Sequence, residues 1–579
     1  MKTYYTDEKN IQILISALKN HGIKKIVASP GATNVTFVRS LQNDPYFEIY
    51  SAVDERSAAY MACGLAEESG EPVVISCTGA TASRNYLPAL TEAYYRKLPI
   101  LSVTSSQDIS KIGHHSPQLI DRSVMPNDTV KHSVHLATVK DADDRWSCEV
   151  KVNNAILELN RHGRGPVHIN LTTQYSKNFS IEKLPDVRVI KRIMPTEEFP
   201  VMSGKIAIFV GSHSKMNQEL TKAIDDFCAS NDAVVFCDHT SGYYGNYKVV
   251  HSLSSSQKFS DYRGMTSDLS IHIGEVTGDY SCARIIGNKV WRLSEDGEIR
   301  DTFRKLQYIF EMSEIEFFKR YTKEKTNKSD NYLVTCKEHI SKLNKEIPEL
   351  PFSNLWVAQK SHKSIPKNSV MHFAILNSLR SWNFFQLPET VESNSNVGGF
   401  GIDGCVSTLI GASLAHKDKL YFSVVGDLAF FYDMNSIGNR HVGKNIRILL
   451  INNGTGTEFR NFNHLAAAFG ESADEFHAAG GHFGNKSQKL VKNYCENLGF
   501  EYLTASSKDE FETVYERFFI NGITNRPMLF EVFTNSDEES DALETMMSFS
   551  KTTSGKAKNA LRGMLGDKGI KTIKGILRK

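Results

Sequence analysis

The stretch KLYFSVVGDLAFFYDMNSIGNRHVGKNIRILLINNG, residues 419–454, decides how this chain is read. It holds two short, continuous apolar runs with a helical pattern between them. KLYFSVVGD ends in Gly426-Asp427, AFFYDMNSIGNRH follows as a helix, and IRILLINN ends in Asn452-Asn453. Continuous apolar strands are what a parallel sheet requires when helices cover both of its faces. In such a sheet both strand ends lie on the same, ligand-binding edge. An Asp and an Asn on that edge offer hard oxygens, which suit a Mg²⁺ ion that also holds phosphate oxygens. A glycine-containing turn at a helix start adds backbone N–H groups for a diphosphate. Taken alone, the pair also fits two plain strand-end turns, with Asp427 capping the helix and Asn453 closing a turn.

The same form recurs on either side. SVMHFAIL and MLFEVFT complete a third α/β unit. Before it, KIAIFVGSHS, AVVFCD and DLSIHIGEV outline a middle unit. The first third carries IKKIVASPG, PVVISCTGA, LPILSVTSS and GRGPVHINL as strands alternating with helical segments. Proline-punctuated stretches, TTQYSKNFSIEKLPDVRVIKRIMPTEEFP and IPELPFSNLW, mark the joints. The expected fold is α/β, with three doubly wound parallel-sheet domains at 1–180, 195–345 and 350–540, then a basic extension over 541–579.

Composition bounds the function. The 579 residues are 40% hydrophobic and 23% charged, a globular balance with ample apolar content for cores. Net charge is +2, so no single large field steers nucleic acid. No run of 18 apolar residues exists to span a membrane, and the first twenty residues lack the pattern of a secretory signal. Nine cysteines stand singly, without CxxC or zinc spacing, as in a reduced, cytoplasmic protein. The near-neutral total hides an asymmetry. Residues 551–579 carry nine Lys or Arg and one acid, whereas residues 1–550 hold 59 basic against 65 acidic side chains. That tail has Leu561, Leu565, Ile570, Ile573 and Leu577 at spacings for one face of broken helices. It reads either as a solvated or lid-forming segment, or as a basic amphipathic contact for an anionic membrane surface or a partner.

The order of units, with DERSAAYMACGLA in the first and GD followed 26 residues later by Asn453 in the third, resembles the thiamine diphosphate enzyme superfamily over about residues 5–535. NSL (377–379), NVGGFGIDGCVST (396–408), GDLAFFYDMN (426–435), INNGTGTEF (451–459) and GPVHIN (165–170) are similar to the menaquinone-pathway synthase family that joins 2-oxoglutarate to isochorismate. SPGATNV and KIGHHSPQLID also resemble acetolactate synthases and 2-oxo acid decarboxylases. The resemblance implies pyrimidine-binding, middle and diphosphate-binding domains in that order, with thiamine diphosphate and Mg²⁺ as cofactors.

It also implies roles. Glu55 would hydrogen-bond the aminopyrimidine ring and so promote loss of the C2 proton; by itself it reads as first-turn helix stabilisation. Ile402 would lie under the bend of the cofactor, and the Phe400 carbonyl would accept from its amino group. Asp427, Asn453 and the Thr455 carbonyl would hold Mg²⁺. The Leu428 and Ala429 N–H groups would face the diphosphate, with Asn377 and Ser378 as further contacts. In this superfamily Glu55 and the metal-binding pair come from different subunits, so a homodimer or homotetramer is implied.

The reaction follows from the pocket. His114-His115 matches the histidine pair of pyruvate-type decarboxylases, and Gln118 matches a glutamine of acetolactate synthases; HHS is equally a plain polar loop. This loop puts decarboxylation of a 2-oxo acid through a C2-carbanion and enamine first, with release of an aldehyde. Ligation of the acyl unit to a carbonyl acceptor comes second, and a non-catalytic scaffold third. Arginines of the menaquinone synthases are missing: Val397 and Thr33 stand where two would be, and Trp382 where a third would be, although Arg380 is close by. Isochorismate is therefore a poor candidate substrate. Phe400, Trp382 and Phe459 read either as apolar walls or as core. GSHSK and GEVTGDYS in the middle unit do not form a dinucleotide fingerprint.

Overall fold

Alternation within the strands builds the architecture. The computed structural model describes residues 4–258, 262, 264–323, 330–481 and 487–550. They fall into two compact units: Met1–Glu198 with Asp296–Glu311, and Phe199–Glu295 with the chain from Met312 onward. The first unit contains β1 (Lys25–Ala28), β2 (Glu48–Ser51), β3 (Val73–Thr78), β4 (Ile100–Ser106), β5 (His132–Leu136) and β6 (Val167–Thr172). They form a parallel sheet in the order β2-β1-β3-β4-β6-β5. Val73, Ile75 and Cys77 pack with the helix Glu55–Ser69 on one face. Val74, Leu101, Val103 and Ile169 pack with the helices Lys9–Asn20 and Ala142–Glu158 on the other. Residues of one strand thus feed two cores, which is why the sequence runs are continuously apolar.

After β7 (Lys191–Ile193), the second unit opens with β8 (Ile206–Val210), β9 (Val234–Cys237), β10 (Lys248–Val250), β11 (Leu269–Ile273) and β12 (Lys289–Leu293), in the parallel order β10-β9-β8-β11-β12. Within the first unit, β13 (Leu306–Phe310) pairs in parallel with β7. The third sheet uses β14 (Val370–Phe373), β15 (Glu392–Ser395), β16 (Tyr421–Gly426), β17 (Ile446–Asn452), β18 (Glu501–Ala505) and β19 (Met528–Phe533), again parallel, in the order β15-β14-β16-β17-β19-β18. Met371, Phe373, Phe422, Val424, Leu449 and Ile451 point into one core. Tyr421, Val425, Ile446, Ile448 and Leu450 point into another. The fold is α/β with three parallel sheets, as the sequence leads one to expect.

The helix Ser536–Ser548 runs through the 540/541 joint placed between the third domain and the tail. Its Ala542, Leu543 and Met546 are buried in the third-sheet core, so these residues belong to that domain. The basic residues 551–579 lie outside the described residues. No helix of the described residues is long and apolar enough to cross a membrane.

Trp382 settles one open reading. It is fully buried, its ring lies 5.6 Å from that of Phe373, and its indole N–H donates to Asn354 Oδ1 at 3.2 Å. It is core and not a pocket wall. Trp382→Ala should cost about 3–5 kcal/mol through the cavity it leaves. Chemical denaturation of the two proteins measures this directly.

Candidate active site

The third sheet gathers the side chains singled out from its sequence at one edge. Strands β15 and β16 flank β14 on opposite sides, so the chain direction across the sheet reverses beside β14. Ligand crevices form outside the strand ends at such a point. Asn377 and Ser378 open the helix after β14, Asp427 opens the helix after β16, and Asn453 follows β17. A cavity of about 100 Å³ lies between them. Asn377, Ser378, Ile402, Asp427, Leu428, Ala429, Asn453 and Thr455, all named above from sequence, line it together. Phe400 is half-buried with a positive φ of 54°, packs against the core beside this cavity, and is not among the lining residues. Phe459 lines the cavity, so of the three aromatic residues only this one is a wall.

Asp427 is 2% exposed. Its Oδ1 accepts from the Leu428 N–H at 2.7 Å and its Oδ2 from the Gly454 N–H at 2.7 Å. The Leu428 N–H is thus committed to Asp427, in contrast to the diphosphate contact expected of it. Burial pushes the Asp427 carboxyl up to about 6, although these backbone donors oppose the shift. A buried carboxylate with no cationic partner is costly, and a bound cation relieves that cost. Asn453 Oδ1 accepts from the Thr455 N–H at 3.3 Å, and the Thr455 carbonyl accepts from Thr457. No three His, Cys, Asp or Glu side chains converge on a metal site among the described residues. One carboxylate, an amide and a carbonyl suit a Mg²⁺ ion that keeps waters and takes phosphate oxygens.

Sequence reasoning missed Glu539 and Glu458. Glu539 lines the cavity, buried, and accepts from the Asn354 N–H at 2.9 Å and the Thr534 hydroxyl at 2.7 Å; burial pushes it up to about 7. Glu458 binds Arg380 through both oxygens, at 2.8 and 3.0 Å. Arg380 and Asn461 also donate to Asn377 Oδ1, at 3.1 and 3.0 Å, and fix that amide. Arg380 therefore has its charge matched. Val397 is buried in the core and is not among the residues lining this cavity.

In the first unit, Glu55 begins the helix after β2, behind Asp54, whose carboxylate caps that helix by accepting from the Ser57 N–H at 2.7 Å. Glu55 is half-buried, and Cys77 and Tyr86 feel its charge. His114, His115 and Gln118 sit in an exposed loop after β4. His115 and Gln118 both have positive φ, 54° and 60°, a strained backbone of the kind concentrated at functional sites. Thr33 donates to the Ser105 carbonyl at 2.6 Å and contacts the Thr78 hydroxyl.

Residues 9–125 match the family of the thiamine pyrophosphate enzyme N-terminal TPP binding domain. Along its length the chain is similar to proteins named 2-succinyl-5-enolpyruvyl-6-hydroxy-3-cyclohexene-1-carboxylate synthase. That of Bacteroides fragilis is 30% identical over 93% of this chain and 98% of the relative. That of Bacteroides thetaiotaomicron is 30% identical with the same coverage, and that of Porphyromonas gingivalis is 25% identical over 95% and 98%. The chain belongs to the thiamine diphosphate enzyme superfamily, in the branch that holds these synthases. It is an enzyme of that class, and its cofactors are thiamine diphosphate and Mg²⁺.

Proposed function

We propose that the protein decarboxylates a 2-oxo acid and passes the remaining acyl unit to a carbonyl acceptor, an aldehyde, a ketone or a sugar. The observation that carries this reading is likeness to synthases over nearly the whole chain. It moves ligation ahead of simple decarboxylation, which the His114-His115 loop alone favours. Thiamine diphosphate, when bound, supplies the nucleophilic carbon and the electron sink. Asp427, Asn453 and the Thr455 carbonyl would hold Mg²⁺. Asn377, Ser378 and the Ala429 N–H hold the diphosphate. Ile402 would support the bound cofactor, and the Phe400 carbonyl would be available as an acceptor for its amino group. Glu55 carries the proton-linked hydrogen bond to the ring. His114, His115 and Gln118 serve the reacting carbonyl groups as donors and proton carriers. The functional unit is a homodimer or homotetramer in which Glu55 and Asp427 of one site come from different subunits, and its setting is cytoplasmic.

The acceptor is less anionic than that of the named relatives. Arg380 is neutralised by Glu458, Val397 is core, and Thr33 is hydrogen-bonded to the backbone. No nucleic acid is involved.

The test is incubation with thiamine diphosphate, Mg²⁺ and a panel of 2-oxo acids, with and without carbonyl acceptors. Carbon dioxide and products are followed by mass spectrometry. Acceptor-dependent products carrying the acid's acyl mass are expected. Aldehyde release indifferent to every acceptor would favour the decarboxylase reading instead.

Mg²⁺ affinity carries its own pH signature. Protons compete for Asp427 below about 6. Affinity should fall by about tenfold per pH unit below that point and level off above it, because metal binding there displaces one proton. Calorimetric titration from pH 4.5 to 8 reads the slope.

A further inference from the structure

The second unit contains a larger cavity, of about 950 Å³, that shares no lining residue with the one at the third-sheet edge. One face of the helix Asn331–Glu346 lines it, with Lys337, Ile340, Ser341, Asn344 and Lys345 at helical spacing. Tyr332, Cys336 and Leu343 are buried on a different face of that helix. Another wall is Phe384, Phe385 and Leu387, which belong to the third-sheet core. Hydrogen bonds fix this wall: His362 Nδ1 donates to the Gln386 carbonyl at 2.7 Å, and His239 Nε2 to the Phe385 carbonyl at 3.1 Å. Ligand pockets run from about 300 to 1,000 Å³, so the space accommodates a whole small molecule.

The charge around it is one-sided. Lys248, Lys337, Lys345 and Lys363 line the cavity against a single acid, the exposed Glu389. None of the four lysines has an ion-pair partner among the described residues. Lys248, which opens β10, is half-buried, and burial pushes its ammonium down. Its Nζ lies 4.6 Å from the centre of the Tyr244 ring and has no hydrogen-bond partner among the described residues. A ring face attracts an ammonium but leaves its N–H donors without acceptors. The other three lysines are exposed. Like charges about one hollow repel one another and focus a positive field into it. Residues 551–579, with nine Lys or Arg and one acid, have the wrong sign to fill it. No arginine lines the cavity, so its cations act as point charges and not as forks.

We infer that this cavity binds a small organic anion that carries two or more negative charges on an apolar body. The lysines take the charges, and Phe384, Phe385 and Leu387 flank the body. The site is separate from the cofactor cavity, so it fills with the enzyme already loaded. The assignment does not depend on which reaction the enzyme performs.

Pyranine, a fluorescent aromatic trisulfonate, serves as the probe. It is titrated into the full-length protein saturated with thiamine diphosphate and Mg²⁺, and binding is followed by fluorescence anisotropy. Saturable binding of one probe per chain is expected, weakened severalfold by added salt. Lys337→Glu combined with Lys363→Glu should weaken it at least tenfold, with the melting temperature unchanged because both side chains are exposed. Lys417→Glu combined with Lys492→Glu makes the same change of charge at exposed positions that do not line the cavity, and should leave affinity as in the wild type. Lys248→Met should weaken the probe severalfold while the melting temperature stays level or rises; should that variant not fold, the exposed pair decides. Equal affinity in the wild type and the 337/363 variant overturns the assignment. Equal loss in both double variants also overturns it, since that marks a general field and not a site. Displacement of pyranine by excess thiamine diphosphate overturns it too, because the probe then occupies the cofactor cavity. Phenyl phosphate and phthalate, both dianions on a benzene ring, compete for the bound probe. The stronger competitor identifies the acidic group as phosphate or carboxylate, and competition by neither overturns the proposal.

Discussion

Glu55→Gln is expected to lower turnover by at least about a hundredfold, the scale of a lost acid–base contact. Thiamine diphosphate affinity should change by less than about threefold, since most of the contacts proposed to hold it lie on the diphosphate side. The substitution keeps the length and shape of the side chain and removes its charge. A carboxylate strengthens its hydrogen bond as the partner nitrogen gains basicity, and a neutral amide cannot follow that change. Glu55 is well placed for the task. It sits half-buried in the first turn of its helix, and Asp54 performs the capping. The helix therefore does not depend on Glu55, and the variant should melt within a few degrees of the wild type. Steady-state rates on the best 2-oxo acid, with calorimetric cofactor titration, separate the two effects. Full turnover in the variant would remove Glu55 from the chemistry.

Asp427→Asn should abolish Mg²⁺-dependent retention of thiamine diphosphate, with affinity weakened by more than about a hundredfold, or roughly 2.7 kcal/mol. The amide keeps an acceptor for the Gly454 or Leu428 N–H but brings no charge to the metal. Stability of the unloaded protein should move the other way. The Asp427 carboxyl titrates near 6, above its ordinary range, because burial penalises the anion. A raised acid contributes stability that is full below its ordinary value near 3.8 and lost as pH rises through about 6. At pH 8 the unliganded wild type carries that penalty and the variant does not. Melting curves at pH 8 should therefore show the variant level with or above the unloaded wild type, and unresponsive to Mg²⁺ with cofactor. If subunits share sites, mixing Glu55→Gln and Asp427→Asn protomers restores part of the activity, because each mixed pair holds one intact site and one doubly altered one.

The interior of the fold was legible in the sequence and its borders were not. In the first and third sheets, the four strands read from continuous apolar runs are the four interior ones. Both edge strands of each sheet escaped: EIYS and HSVHL in the first, ESNS and EYLTA in the third. An edge strand is half-solvated, so it carries no apolar run to find. That Asp427, Asn453 and Ile402 would meet at one cavity was legible because motif spacing and strand ends coincide. Glu539 was not, since DEESDALE reads as a solvated acidic helix and only tertiary packing seals that one carboxylate under the cavity. Trp382 could be read as wall or core, and the Asn354 carbonyl that receives its N–H is 28 residues away.

All nine cysteines are free and buried, and burial holds every one of their thiols above its ordinary value. Thiolates are the reactive form, so the folded protein is nearly silent to maleimides and similar reagents. A cysteine introduced at one exposed position, such as His114 in the loop after β4, would then be the single fast-labelling site. Fluorescent or spin reporters can be placed on the native background, with none of the original sulfurs replaced.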